Sequence, residues 1–163
     1  MDTYLFEQGN AGEEELLLRM LDYFGDEFVI QRTCDMPSYG DMFCCDFALS
    51  AGEDKPILCF IELKSRTIIK PEWTSLMIGR HKIKTCSERI RLMPDETFIF
   101  IWKDNSVDDG YYYMKGFSHM EHNFHPRGTK TFVPKDYTEY GTIKDVCDFI
   151  REIIVDLDND IKT

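Results

Sequence analysis

No uninterrupted apolar stretch in this 163-residue sequence is long enough to cross a bilayer. The first residues, MDTYLFEQGN, have neither the basic start nor the apolar run of a secretory signal. None of the six cysteines (Cys34, Cys44, Cys45, Cys59, Cys86, Cys147) stands in a C-x-x-C pair of the kind zinc sites use. There is no internal repeat, no low-complexity tract and no linker that would separate one domain from another. These absences argue against membrane-spanning, zinc-ribbon and solenoid architectures. The expectation is one domain over residues 1–163, intracellular, in cytoplasm or nucleus (of a host cell if the source is viral), with no membrane partner and with buried, reduced thiols.

Positive charge is also scarce: 19 Lys and Arg against 30 Asp and Glu, a formal net charge of −11. A surface of that sign does not bind nucleic acid indiscriminately. The distribution is uneven, however. Residues 60–92 carry eight basic residues against three acids, a net +5 that leaves −16 for the rest. Hydrophobic residues make up 43% and aromatics 13%, enough for an ordinary core.

The hydrophobic pattern predicts an αβββαβ order. GEEELLLRMLDYF (12–24) has Leu17, Leu21 and Phe24 at helical spacing and ends at Gly25. Glu13 and Glu14 flank its apolar stripe, while Glu15 points away. FVIQRT (28–33), MFCCDFALS (42–50) and ILCFIELK (57–64) read as strands separated by Pro- and Gly-bearing turns. Pro71 and Pro94 bracket an expected helix that Gly79 interrupts. TFIFIWK (97–103) and GYYYMKGF (110–117) are two further strands. Residues 116–141 show no period and read as loop. TIKDVCDFIREIIVDLDND (142–160) is an amphipathic C-terminal helix with Thr142 as its N-cap.

The chemistry gathers at ILCFIELKSR (57–66). Side chains alternate along a strand, so Glu62 and Lys64 share one face at the end of an apolar run. An acid and an ammonium there are costly unless paired. Asp46, in CCDFALS on the preceding strand, would lie beside Glu62 in a hairpin closed by AGEDKP. Two carboxylates meeting at one sheet end call for a cation between them, and oxygen donors suit a hard divalent ion, Mg²⁺ or Mn²⁺.

An acid-bearing helix, then Asp46 on a strand, then Glu62-Leu63-Lys64 on the next resembles the PD-(D/E)XK nuclease superfamily, with its restriction-endonuclease-like fold. GNAGEEELLLRMLDYFGDEFVIQRT (9–33) is similar to the opening of archaeal-type Holliday junction resolvases, with Glu13 the best match and Glu14 the second. The resemblance covers residues 9–115. It departs from the pattern at Cys45, which stands where proline often precedes the aspartate, and it leaves 116–163 as an extension.

What the resemblance implies is an α/β protein with a mixed central sheet flanked by helices. Asp46, Glu62, Glu13 and the Leu63 carbonyl would hold Mg²⁺ or Mn²⁺, and Lys64 would be the catalytic lysine. Lys82, His81, Arg66, Lys84 and Arg80 would contact nucleic acid. The activity would be DNA phosphodiester hydrolysis in repair or recombination, as an endonuclease or resolvase, with RNA the lesser substrate and a homodimer or a DNA-binding partner protein compatible. The competing reading is an inactive nucleic-acid-binding or assembly protein on the same fold. Phage, large DNA virus and repair pathway fit the composition equally. His119, His122 and His125 are spaced by three, which fits neither a strand nor a helical zinc pair, and are expected to be a loop feature.

Overall fold

In the computed structural model, residues 3–33, 45–65 and 69–162 are described, with the side chains of 11–33, 45–65 and 69–156. The central sheet has the strand order β1 (Val29–Arg32), β2 (Phe47–Ser50), β3 (Ile57–Lys64), β5 (Thr97–Lys103), β6 (Tyr111–Lys115), β9 (Glu139–Gly141). Among the described residues only the β3–β5 pair of this sheet is parallel, so the sheet is mixed as expected. A parallel neighbour needs a crossover, and the chain between β3 and β5 supplies it through β4 (Ser75–Gly79) and α2 (Arg80–Leu92).

Each face of the sheet carries its own core. On one side α1 (Thr3–Phe24) and α4 (Ile143–Lys162) cover Phe47, Leu49, Ile61, Leu63, Ile99 and Ile101. On the other, α2, α3 (Met120–Asn123) and a second sheet, ordered β4-β8-β7, cover Ala48, Phe60, Phe98, Phe100 and Trp102. β7 is His125–Arg127 and β8 is Lys130–Pro134.

The expected strands 57–64 and 97–103 have the bounds read from the sequence. Three expectations change. α1 turns inward through Leu16, Met20 and Phe24, one helical turn apart, and leaves Leu21 41% exposed. The expected helix from Pro71 begins only at Arg80. Ser75–Gly79 instead alternates, with Leu76 and Ile78 buried, because it pairs antiparallel with β8. Residues 116–141 are not a plain loop: they form α3, the β7–β8 hairpin and the edge strand β9. The hairpin turns at Gly128, whose φ of 62° suits a residue without Cβ.

At the C-terminal helix, Thr142 is the cap the sequence suggests. Asp145 Oδ2 accepts the Thr142 amide at 2.9 Å, a reciprocal arrangement akin to a capping box. Cys45, Cys59, Cys86 and Cys147 are buried; Cys34 and Cys44 lie outside the described residues.

The second sheet is fastened to the first by Trp102, 2% exposed, whose indole N–H donates to the Met77 carbonyl at 2.9 Å. Trp102→Phe keeps the ring packing and strands that carbonyl. It should lower stability by about 1–3 kcal/mol in urea denaturation, with faster hydrogen exchange concentrated in β4 and β8.

Candidate active site

Asp46 continues β2 by one residue: its amide donates to Ile61 O at 2.8 Å, and its carbonyl accepts from Thr33 at 3.0 Å. Its carboxylate turns toward β3, where Oδ2 accepts the Leu63 amide at 2.7 Å. Glu13 reaches the same carboxyl from α1 and is itself held by Arg32 on β1, at 2.6 Å. Glu14, the second candidate, is exposed, whereas Glu13 is half-buried.

Burial and the negative charge of Glu13 push the Asp46 carboxyl up to about 7, against a lowering by the Leu63 amide. Two acids crowded at a strand end in this way have the donor chemistry of a hard-cation site. Glu62, 4% exposed, is held differently: its Oε1 accepts from Lys82 in the first turn of α2. Among the described residues no group of three or more His, Cys, Asp or Glu side chains is arranged around a single point. The oxygen donors thus fit a divalent cation in kind, through the Asp46–Glu13 pair, while Glu62 is turned to Lys82.

Lys64 follows Glu62 at the end of β3. Burial, and the neighbouring charges of Lys130 and Lys82, lower its ammonium to about 8, with Glu62 pulling the other way. Of the residues expected to contact nucleic acid, Lys82 faces this cluster, whereas Arg80, His81 and Lys84 are exposed. Arg80 and Lys84 line a separate groove with Glu88 and Glu121. Arg66 lies outside the described residues. The three histidines form no metal cluster among the described residues; His119 faces Arg91 at 3.3 Å, and His125 begins β7.

Two members of the cluster escaped the sequence reading. Arg32 closes an otherwise ordinary strand, and Lys130 arrives from the hairpin that shows no period. The glycine of RGTK (127–130) is a turn signal that the loop reading of 116–141 did not use, and nothing in it points to Lys64.

No family model matches the chain, and no curated protein matches it in sequence. Among solved structures, the chain is similar in fold to a Holliday junction resolvase. One such structure is that of Hjc, a Holliday junction resolvase from the archaeal hyperthermophile Archaeoglobus fulgidus, with a TM-score of 0.50 and 15% identity. The match covers 86% of this chain and 95% of that one, so it extends beyond the core at 9–115. At this identity the likeness is one of fold.

Gly12 sets how closely α1 approaches the end of β3. A Cβ there would fall on the Ser65 hydroxyl and come within 2.7 Å of Ser65 Cβ. Gly12→Ala should therefore push Glu13 off Asp46 and cost about 1–3 kcal/mol, and Ser65→Gly in the same chain should recover most of the loss, a coupling read by a double-mutant cycle.

The raised carboxyl of Asp46 makes a second prediction. A group favouring its neutral form when folded adds stability below its unfolded value, near 3.8, and loses it as pH rises toward about 7. In metal-free buffer, Asp46→Asn should melt increasingly above wild type as pH climbs through that window. Melting curves at acid and neutral pH check this, and a flat difference contradicts it.

Proposed function

We propose that this protein is a divalent-metal-dependent nuclease that hydrolyses DNA phosphodiester bonds, of the structure-selective endonuclease or resolvase kind. The observation that carries the reading is the convergence of Asp46 and Glu13 beside Glu62 and Lys64 at the ends of β2 and β3. The fold shared with a Holliday junction resolvase supports it.

Asp46, Glu13 and the Leu63 carbonyl would hold Mg²⁺ or Mn²⁺, with Glu62 joining them on release from Lys82. Bound there, the ion supplies a lowered pKa for a water and a counter-charge for the phosphate. The chain's own groups do the rest. Lys64, lowered to about 8, gives up its proton more readily than an ordinary lysine and in its neutral form can take one from the attacking water. Water oxygen bonds to phosphorus as a bridging P–O bond breaks, and the leaving oxygen takes up a proton from solvent. Lys82, freed from Glu62, faces the phosphate as a counter-charge. Arg32 keeps Glu13 aimed at Asp46.

The net charge of −11 confines DNA contact to this basic locality, or assigns some of it to a second copy or a DNA-binding partner. One observation favours a second reading, an inactive nucleic-acid-binding or assembly protein: the Glu62–Lys82 ion pair already satisfies both charges without a metal.

Labelled duplex, single-stranded and four-way-junction DNA with Mn²⁺ or Mg²⁺ separates the two. The nuclease reading expects metal-dependent cutting that falls by about 10²-fold or more in both Asp46→Ala and Lys64→Ala, and a Mn²⁺-induced rise in melting temperature that Asp46→Ala abolishes. DNA binding with no cutting and no Mn²⁺ response would leave the binding protein.

A further inference from the structure

The second sheet turns one face to the core and one to solvent. Leu76 and Ile78 on β4, and Thr131 and Val133 on β8, point inward and are buried. Direct pairing places Met77, Phe132 and His125 side by side on the opposite face. None of the three is buried, and Phe132 stands at the centre of the row. Trp73, in the turn before β4, is likewise only half-buried.

These side chains border an open groove of about 410 Å³ lined by Glu72, Trp73, Thr74, Ser75, Met77 and Phe132. That volume falls in the range of small-ligand sites. Its lining combines a Trp, a Phe and a Met with the polar residues Glu72, Thr74 and Ser75. Flat aromatic walls with a few hydrogen-bonding groups suit a planar, polar-edged ring.

Two further observations say which ring. The groove lies next to the candidate active site: Trp73 and Met77 also line a small cleft of about 10 Å³ whose other walls include Lys64 and Trp102. The groove is also bordered by cations. The Arg127 guanidinium sits over the Phe132 ring at 5.6 Å, and Lys130, paired with Arg127 across the hairpin, reaches from this sheet to Lys64. In an acidic protein, an aromatic groove with Arg127 over its Phe132 wall, Lys130 beside Arg127, and Lys64 behind Trp73 and Met77 matches a chain of phosphates carrying bases.

We infer that the outer face of the β4-β8-β7 sheet binds an unpaired nucleobase of a nucleic-acid strand, seated between Trp73 and Phe132, with Arg127 and Lys130 on the adjoining phosphates. The inference rests on the nuclease reading for its direction, since the strand would run from this groove to Lys64. It names the substrate class as one with an unpaired nucleotide next to the reacting phosphate. Stacking on aromatic faces needs bases freed from a duplex, and it tolerates any base.

The chain has two tryptophans, and Trp102 is buried, so a base stacked on Trp73 is visible in intrinsic fluorescence. Titrations in EDTA, where no cutting occurs, would use a short single-stranded oligodeoxynucleotide, its duplex, and an abasic strand of equal length. The expected result is quenching by the single strand, with binding at least tenfold tighter than that of the abasic strand or the duplex. Phe132→Ala should lose about tenfold. Phe132→Leu, which keeps the apolar contact with Met77, should lose a similar factor while melting as wild type. Equal binding of abasic and natural strands, or wild-type binding by Phe132→Leu, would overturn the inference.

Cleavage of a flapped or gapped duplex with Mn²⁺ keeps the two proposals apart. Cutting that depends on Asp46 but is indifferent to Phe132 sinks the groove and leaves the nuclease. Base-dependent quenching without metal-dependent cutting sinks the nuclease and leaves the groove.

Discussion

The hydrogen bond from the Leu63 amide to Asp46 Oδ2 is the constraint on which the site depends. It fixes a buried carboxylate at the point where β2 and β3 cease to pair, and every neighbouring charge is arranged around that fact. Glu13 crowds the carboxylate from α1, Arg32 offsets Glu13, and Lys82 offsets Glu62 from the opposite layer. A buried acid against a second acid is unfavourable in a folded protein unless it serves something. A hard cation is the simplest thing it could serve.

The architecture makes this juxtaposition from both sides of one sheet. α1 packs on one face and contributes Glu13; α2 packs on the other and contributes Lys82. The two cores do not share their principal residues, so the charges meet at the sheet end where neither core continues. The second sheet adds Lys130 and an aromatic outer surface to the same end, held there by the Trp102–Met77 hydrogen bond. Its strands β4 and β8 lie far apart in the chain, yet they decide what surrounds Lys64.

Much of the site was legible before folding because its components lie on short, strongly patterned segments. An apolar strand ending in Glu62-Leu63-Lys64, and Asp46 flanked by hydrophobic neighbours, are local anomalies that alternation alone exposes. Helical phase was less secure. The apolar residues between Leu16 and Phe24 allow more than one stripe, and packing against the sheet selected Leu16, Met20 and Phe24 over Leu21. Ser75–Gly79 was misread because five residues flanked by helix-like sequence carry too little period to outweigh their surroundings. Pairing with β8 overrode local propensity there.

By itself the sequence determined which residues carry charge at the ends of apolar strands, the order of the elements in the core, and hence the class of fold. Those features are written in periods of two and of about 3.6 residues and need no distant partner. Only the tertiary structure decided who meets whom: Glu62 with Lys82, Glu13 with Asp46 and Arg32, Lys130 with Lys64, and Phe132 with the groove beside Trp73. Such contacts depend on strand pairing and layer packing between segments far apart in the chain. No local pattern encodes them, because their energy appears only when the sheet has formed.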